Sequence, residues 1–334
     1  MCYLLVYNTC VGFIDHRYDA EFRRQRKLSL SILKEFGFGK DIMEERIQVE
    51  VSLLLQQIRD IKSAAFCPET LLTSGILNVI ASILFGHRVE AEGVCELNAV
   101  IHGFLRSTFD LLPVDVFPLL RFLPKMRRSL AVSAAFNNHL FRIITRTIEA
   151  SDEDSFVRYY MNREGSKLDR EQLEFIVRDL VLAGTETITS TLLWAIVLLA
   201  GRNGQSVQER MWKEIDSQVP RDRLPSLDDR SHLPIVDATI LEVMRIRTAV
   251  PLALAHWTSR DTTVGGYFIP ANTLASNSTG LFLIRLHRHS LSSLSFLPAR
   301  RYASAVFATA TCLSVCHTPV CLAERKQDRE MYTF

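Results

Sequence analysis

The run Ala183-Gly184-Thr185-Glu186-Thr187 places an acid and a hydroxyl just after two small residues, in the middle of an apolar segment spanning 171–201. Gly costs about 1 kcal/mol relative to Ala inside a helix, so its presence there calls for a reason. Ala183 and Gly184 would open a gap on one face. Glu186 and Thr187 beside that gap are suited to handling protons next to a bound group. A tight helix crossing with a solvated Glu186 accounts for the same residues equally well. A second constellation is Glu242 and Arg245, three apart and hence on one helix face. Their neighbours Ile240, Leu241, Val243 and Met244 are apolar, so the pair is expected to be interior. There it is costly unless further hydrogen bonds hold it, and it reads as a fold-locking network. Beyond it comes His256, within Ala255-His256-Trp257.

These residues need elements to position them. The segment 171–201 reads as one long central helix, apolar on nearly all sides. Further helices are expected at 21–33, with a dense basic face, and at 41–61, 69–84, 98–110, 129–150, 155–162, 205–218 and 233–247. The three prolines of 111–126 mark a loop with apolar anchors. Strand patterning appears only at 252–259 and 262–269, around a turn at Arg260-Asp261, and predicts a small sheet of short pairs. The fold class is therefore mainly α with a small β-sheet.

Composition agrees with a globular chain: hydrophobic residues make up 48% and charged residues 23% of 334. The 39 basic and 37 acidic residues leave a net charge of +2, which implies no polyanionic partner. The arginines at 23, 24 and 26 lack aromatic interleaving of the nucleic-acid-binding kind, so no nucleic acid is expected. The seven scattered cysteines do not form a secreted disulfide framework and favour a reducing compartment. No signal peptide or membrane-spanning segment is convincing from the sequence.

Several motifs occur in a telling order. They are Phe22-Arg23-Arg24-Gln25-Arg26-Lys27, Phe36-Gly37-Phe38-Gly39-Lys40, Glu44-Glu45-Arg46-Ile47-Gln48, Asn78-Val79-Ile80 with Phe85-Gly86, and Phe117-Pro118 with Leu123-Pro124. The Ala183–Thr187 run, Glu242-x-x-Arg245, and His256 with Gly266-Tyr267-Phe268-Ile269-Pro270 follow. In this order the chain resembles the cytochrome P-450 monooxygenases, most closely the microsomal animal family 2, over roughly residues 15–278. The resemblance implies an incomplete cytochrome P-450 fold and a haem cofactor. It implies that Glu186 and Thr187 relay protons on the distal side of that haem, beside Ala183 and Gly184. Arg26 and His256 would pair with the propionates through charge-assisted hydrogen bonds. Phe22 stands where the family usually has Trp and keeps an aromatic wall without the indole N–H. Glu242 and Arg245 would be structural. The implied partners are an apolar small-molecule substrate and an NADPH-dependent reductase. The endoplasmic reticulum membrane enters only through the family, since no anchor segment is evident; without one the chain could be cytoplasmic.

The resemblance stops near Asn277. The family's next landmark is a loop Phe-x-x-Gly-x-Arg/His-x-Cys-x-Gly, whose thiolate ligates iron. Ahead of Cys312, Cys316 and Cys321 the glycine and basic positions are not matched. Cys321-Leu322-Ala323-Glu324 only echoes the loop's end, and Pro319 removes a donor near that sulfur. No metal ligand is assigned; Cys312-x3-Cys316-His317-x3-Cys321 is too loosely spaced and lacks a second ligand pair. The expected organisation is a short divergent N-terminus (1–14), a partial cytochrome P-450 domain (15–278) and an unrelated, disordered tail (279–334). The tail reads as sequence joined from another source, such as retained intron. The expected function is a fragment of a haem-thiolate monooxygenase, inactive as written. The alternative is a haem-free helical remnant that binds a ligand or a partner.

Overall fold

A computed structural model describes residues 12–14, 18–36, 41–62, 64–109, 114, 118–201, 204–250, 256–264, 266–271 and 273–275. The helices α1 (Ala20–Glu35), α2 (Asp41–Ile61), α3 (Pro68–Leu84) and α4 (Ala91–Phe109) come first. They are followed by α5 (Pro124–Glu149), α6 (Phe156–Glu164), α7 (Arg170–Ala200), α8 (Gln205–Gln218) and α9 (Pro234–Ile246). Four short strands close the described chain: β1 (His256–Trp257), β2 (Thr262–Val264), β3 (Tyr267–Ile269) and β4 (Leu274–Ala275).

Local chemistry sets most of the boundaries. Asp19 caps α1 by accepting a hydrogen bond from the Phe22 amide, and Ser155 caps α6 by accepting from Arg158 N–H. Proline opens α3, α5 and α9, where its missing N–H is no loss. The chain leaves α3 through Gly86 at φ +85°, a conformation that favours glycine. Two expectations need correction. The helix expected from 98 begins at Ala91, because Val94, Leu97 and Ile101 recur at helical spacing and are all buried. The loop expected through 126 ends sooner, because Pro118–Phe122 form a 3-10 turn and Pro124 is the first residue of α5.

The chain forms two compact units: residues 1–193 with 209–234, and residues 194–208 with 235–334. In the first, α4 packs on α5, α2 on α3, α3 on α4 and α1 on α6. Their core contains Ile32, Leu77, Ile101, Ile144, Phe156 and Ile176, each almost fully buried. Arg24 bridges α1 to α6 through a two-pronged pair with the buried Glu164, at 2.6 and 2.9 Å. Gln25 receives a very short hydrogen bond from the Tyr160 hydroxyl and donates to Gln172 at 2.8 Å. In the second unit the strands pair as two separate antiparallel ribbons. β2 meets β3 (Thr262 opposite Ile269), and β1 meets β4 (His256 opposite Ala275). The stretch 262–269 is thus a hairpin of its own, with Gly266 in the left-handed region at φ +86°. That turn, more than the one at 260–261, organises the strands.

The helix α7 is buried nearly continuously from Gln172 to Leu182, whereas Ile188, Leu192, Ile196 and Val197 are exposed. By length and composition α7 could cross a membrane, but the core helix of a globular fold has the same profile, and its first half is such a core helix. The tail 279–334, with Cys312, Cys316 and Cys321, lies outside the described residues.

Candidate functional site

The Ala183–Thr187 run sits on an unbroken stretch of α7, and its side chains point to different surroundings. Gly184 faces α3: a Cβ there would lie 2.8 Å from Cδ1 of Ile80. The gap made by this glycine is filled by helix packing, so Gly184 does not widen the face expected to meet a bound group. Ala183, by contrast, is exposed. Thr187, one turn on, donates its hydroxyl proton to the Ala183 carbonyl at 2.7 Å. Such back-bonding leaves the hydroxyl oxygen free to accept.

Glu186 is not solvated. Its side chain is only 17% exposed, and Oε1 lies 3.5 Å from Nε2 of His102 on α4. The same nitrogen is 3.6 Å from Oε1 of Glu69 on α3. Burial pushes the Glu186 carboxyl above its ordinary value; His102 opposes the rise and Glu69 adds to it. Neither His102 nor Glu69 was singled out by sequence. A lone His and a lone Glu on separate helices carry no spacing signal, and only the packing of α3, α4 and α7 unites them.

A buried ion pair, Arg178–Asp179 at 2.6 Å, lies two turns before Thr187 on the same helix. The Arg178 guanidinium stacks over Phe175 and Phe141, at 4.7 and 5.6 Å from the ring centroids. Asp179 Oδ2 accepts from the amides of Phe13 and Ile14, at 2.7 and 3.1 Å. Phe13 meets Phe22 edge-on at 6.4 Å. Phe22 is thereby placed in an aromatic contact tied back to α7. Arg26, one turn further along α1, is exposed with no ion-pair partner among the described residues.

In the second unit, Arg245 donates to Glu242 through Nε and Nη2, at 2.7 and 2.6 Å. The pair forms as the spacing requires, but both side chains are 53% exposed, which corrects the expectation of an interior pair. The flanking Ile240, Leu241 and Met244 are exposed as well, and Val243 is the one buried residue of α9. Apolar composition does not bury a helix unless something packs on it. Arg245 holds the Glu242 carboxyl below its ordinary value. His256 pairs through its backbone with Ala275; its side chain lies outside the described residues.

The chain matches the Cytochrome P450 family model over residues 6–281. It belongs to the cytochrome P450 family. It is 30% identical over 282 residues to Cytochrome P450 2U1 of Homo sapiens, an alignment covering 79% of this chain and 51% of that protein. It is 32% identical over 267 residues to Cytochrome P450 2H1 of Gallus gallus, covering 76% and 54% respectively. These are family 2 proteins, and the chain spans about half their length. A solved zebra fish cytochrome P450 with progesterone superposes with a TM-score of 0.71 at 20% identity, covering 94% of this chain and 77% of that one. That likeness concerns the fold.

The cytochrome P450 family implies a haem, and the chemistry of the residues expected to meet it is compatible with that group. Exposed Ala183 leaves room beside the helix, Thr187 offers an acceptor oxygen, and Arg26 is a cation available to a carboxylate. The described cysteines, Cys67 and Cys95, are exposed, and neither stands in the glycine-bearing loop expected of a thiolate ligand.

Proposed function

We propose that this chain carries the distal, proton-delivering side of a haem-thiolate monooxygenase site. The parent activity is insertion of one oxygen atom of O2 into an apolar organic substrate, with electrons from an NADPH-dependent reductase. When bound, the haem supplies the redox chemistry; the protein binds, orients and delivers protons. Arg26 and His256 would hold the propionates, Phe22 would wall the edge, and Ala183 would leave space beside α7. Gly184 lets α7 approach Ile80. Glu186 would store a proton, and the Thr187 hydroxyl would pass protons on through its acceptor oxygen. Such an enzyme would work at the endoplasmic reticulum membrane, as its family 2 relatives suggest.

The observation that carries this reading is the adjacency of a largely shielded Glu186, its carboxyl raised above its ordinary value by burial, and a back-bonded Thr187 beside exposed Ala183. The thiolate loop is not recognisable around Cys312, Cys316 or Cys321, so the 334-residue polypeptide expressed alone is expected not to turn over. The test supplies purified chain with haem, reductase, NADPH, O2 and a panel of apolar substrates. Oxygenated product above the reductase-only control would overturn the inactivity. A haem-free chain that binds no apolar ligand would remove the monooxygenase site itself.

A further inference from the structure

Three ionisable side chains from three helices meet beside the Ala183–Thr187 run. Nε2 of His102 on α4 stands 3.5 Å from Glu186 Oε1 on α7 and 3.6 Å from Glu69 Oε1 on α3. All three side chains are largely shielded, with 26% of His102 and 17% of each carboxylate exposed. One imidazole nitrogen therefore faces two carboxylates. It lies in ion-pair range of both yet forms a well-directed hydrogen bond with neither, since His102 Nε2 and Glu186 Oε1 are both buried without a hydrogen-bond partner. The hydroxyls of Thr185 and Thr189, on either side of Glu186 along α7, are buried and unpartnered too. An imidazole and carboxylates left in this state interact chiefly through their charges and are sensitive to which of them carries the proton.

We infer that His102 is the positioning residue for Glu186, holding its carboxylate when the imidazole is protonated and releasing it when the pairing passes to Glu69. The inference rests on the reading of Glu186 as the proton-storing acid and adds the groups that govern it. A protonated His102 favours an ionised Glu186, because the cation offsets the cost of burying the carboxylate. Glu69 draws on the same cation, and its own negative charge opposes ionisation of Glu186. The charges acting on the Glu186 carboxyl are those of His102 and Glu69. Thr187 adjoins the released carboxyl in sequence and keeps an acceptor oxygen, since its proton is given to Ala183.

The test follows the side-chain carboxyl carbon of Glu186 by NMR across pH in the full chain, with the resonance assigned through Glu186→Gln. In His102→Gln the Glu186 midpoint should rise by roughly one pH unit. In Glu69→Gln it should fall. A Glu186 midpoint unmoved in folded His102→Gln overturns the inference. Should that variant fail to fold, Glu69→Gln decides, and a midpoint that does not fall overturns it as well. Neither haem nor turnover enters this measurement, so it can fail while the monooxygenase reading stands, and can succeed while that reading falls.

Discussion

Burial holds the Glu186 carboxyl above its ordinary value, and a definite pH dependence of stability follows. A carboxyl whose value is raised by folding binds its proton more tightly in the native state than in the unfolded one. Its contribution is most favourable below the unfolded value, near 4.5, and is lost as pH rises through the folded value. Urea midpoints measured from pH 4 to 8 (roughly the carboxylate-to-histidine range) should therefore fall with pH in the wild type relative to Glu186→Gln, the two agreeing best at the acid end. A constant difference would show that folding does not raise the Glu186 carboxyl. The Glu242–Arg245 pair behaves differently. It is half exposed, and exposed pairs contribute about 0–1 kcal/mol, so Arg245→Ala should cost less than about 1 kcal/mol by denaturant unfolding. A loss of about 3 kcal/mol or more would mean a buried pair. The sequence made Glu186, Thr187 and the Glu242–Arg245 spacing visible, because neighbours along one helix announce themselves. It concealed His102 and Glu69, because contacts across helices leave no local pattern, and it misjudged the burial of α9, because composition records what a face could bury and not what covers it.

Helix contacts decide the fate of two glycines in opposite directions. Both Gly103 and Gly184 would gain about 1 kcal/mol of helix propensity as alanine. At Gly184 the added Cβ meets the flexible end of Ile80, which can turn aside, so Gly184→Ala should change stability by less than about 1 kcal/mol. At Gly103 the Cβ would overlap the Phe136 ring, where α4 packs on α5. Overpacking of this kind costs about 1–3 kcal/mol, so Gly103→Ala should be net destabilising. Thermal unfolding of the two variants side by side checks the contrast, and equal effects would contradict it. Most helices were legible from periodicity together with their capping residues and prolines. The first two turns of α4 were not, since Val94 and Leu97 acquire meaning only against the neighbours that bury them. The strand pairing was also hidden. Two-residue strands offer too little alternation to indicate partners, and the hairpin turned at Gly266.

At the scale of the whole molecule, a cytochrome P450 chain that spans about half the length of the relatives it matches carries the helix bearing the acid and hydroxyl. The same helix is anchored by Asp179, which accepts from the amides of Phe13 and Ile14, and by Arg178 over the Phe141 ring. Ile188 and Leu192 in the first unit are exposed, and so are Ile240, Leu241 and Met244 on α9 in the second; each set is apolar surface of the kind that promotes association. The central proposal is that α7 bears the proton-delivering side of a haem site and that, as the sequence around Cys312, Cys316 and Cys321 leads one to expect, none of them ligates iron. The direct measurement is the absorption spectrum of the purified chain, expressed with ample haem, reduced and exposed to carbon monoxide. The account predicts no red-shifted Soret band of the thiolate type. Appearance of that band, and its loss in Cys321→Ser, would contradict it.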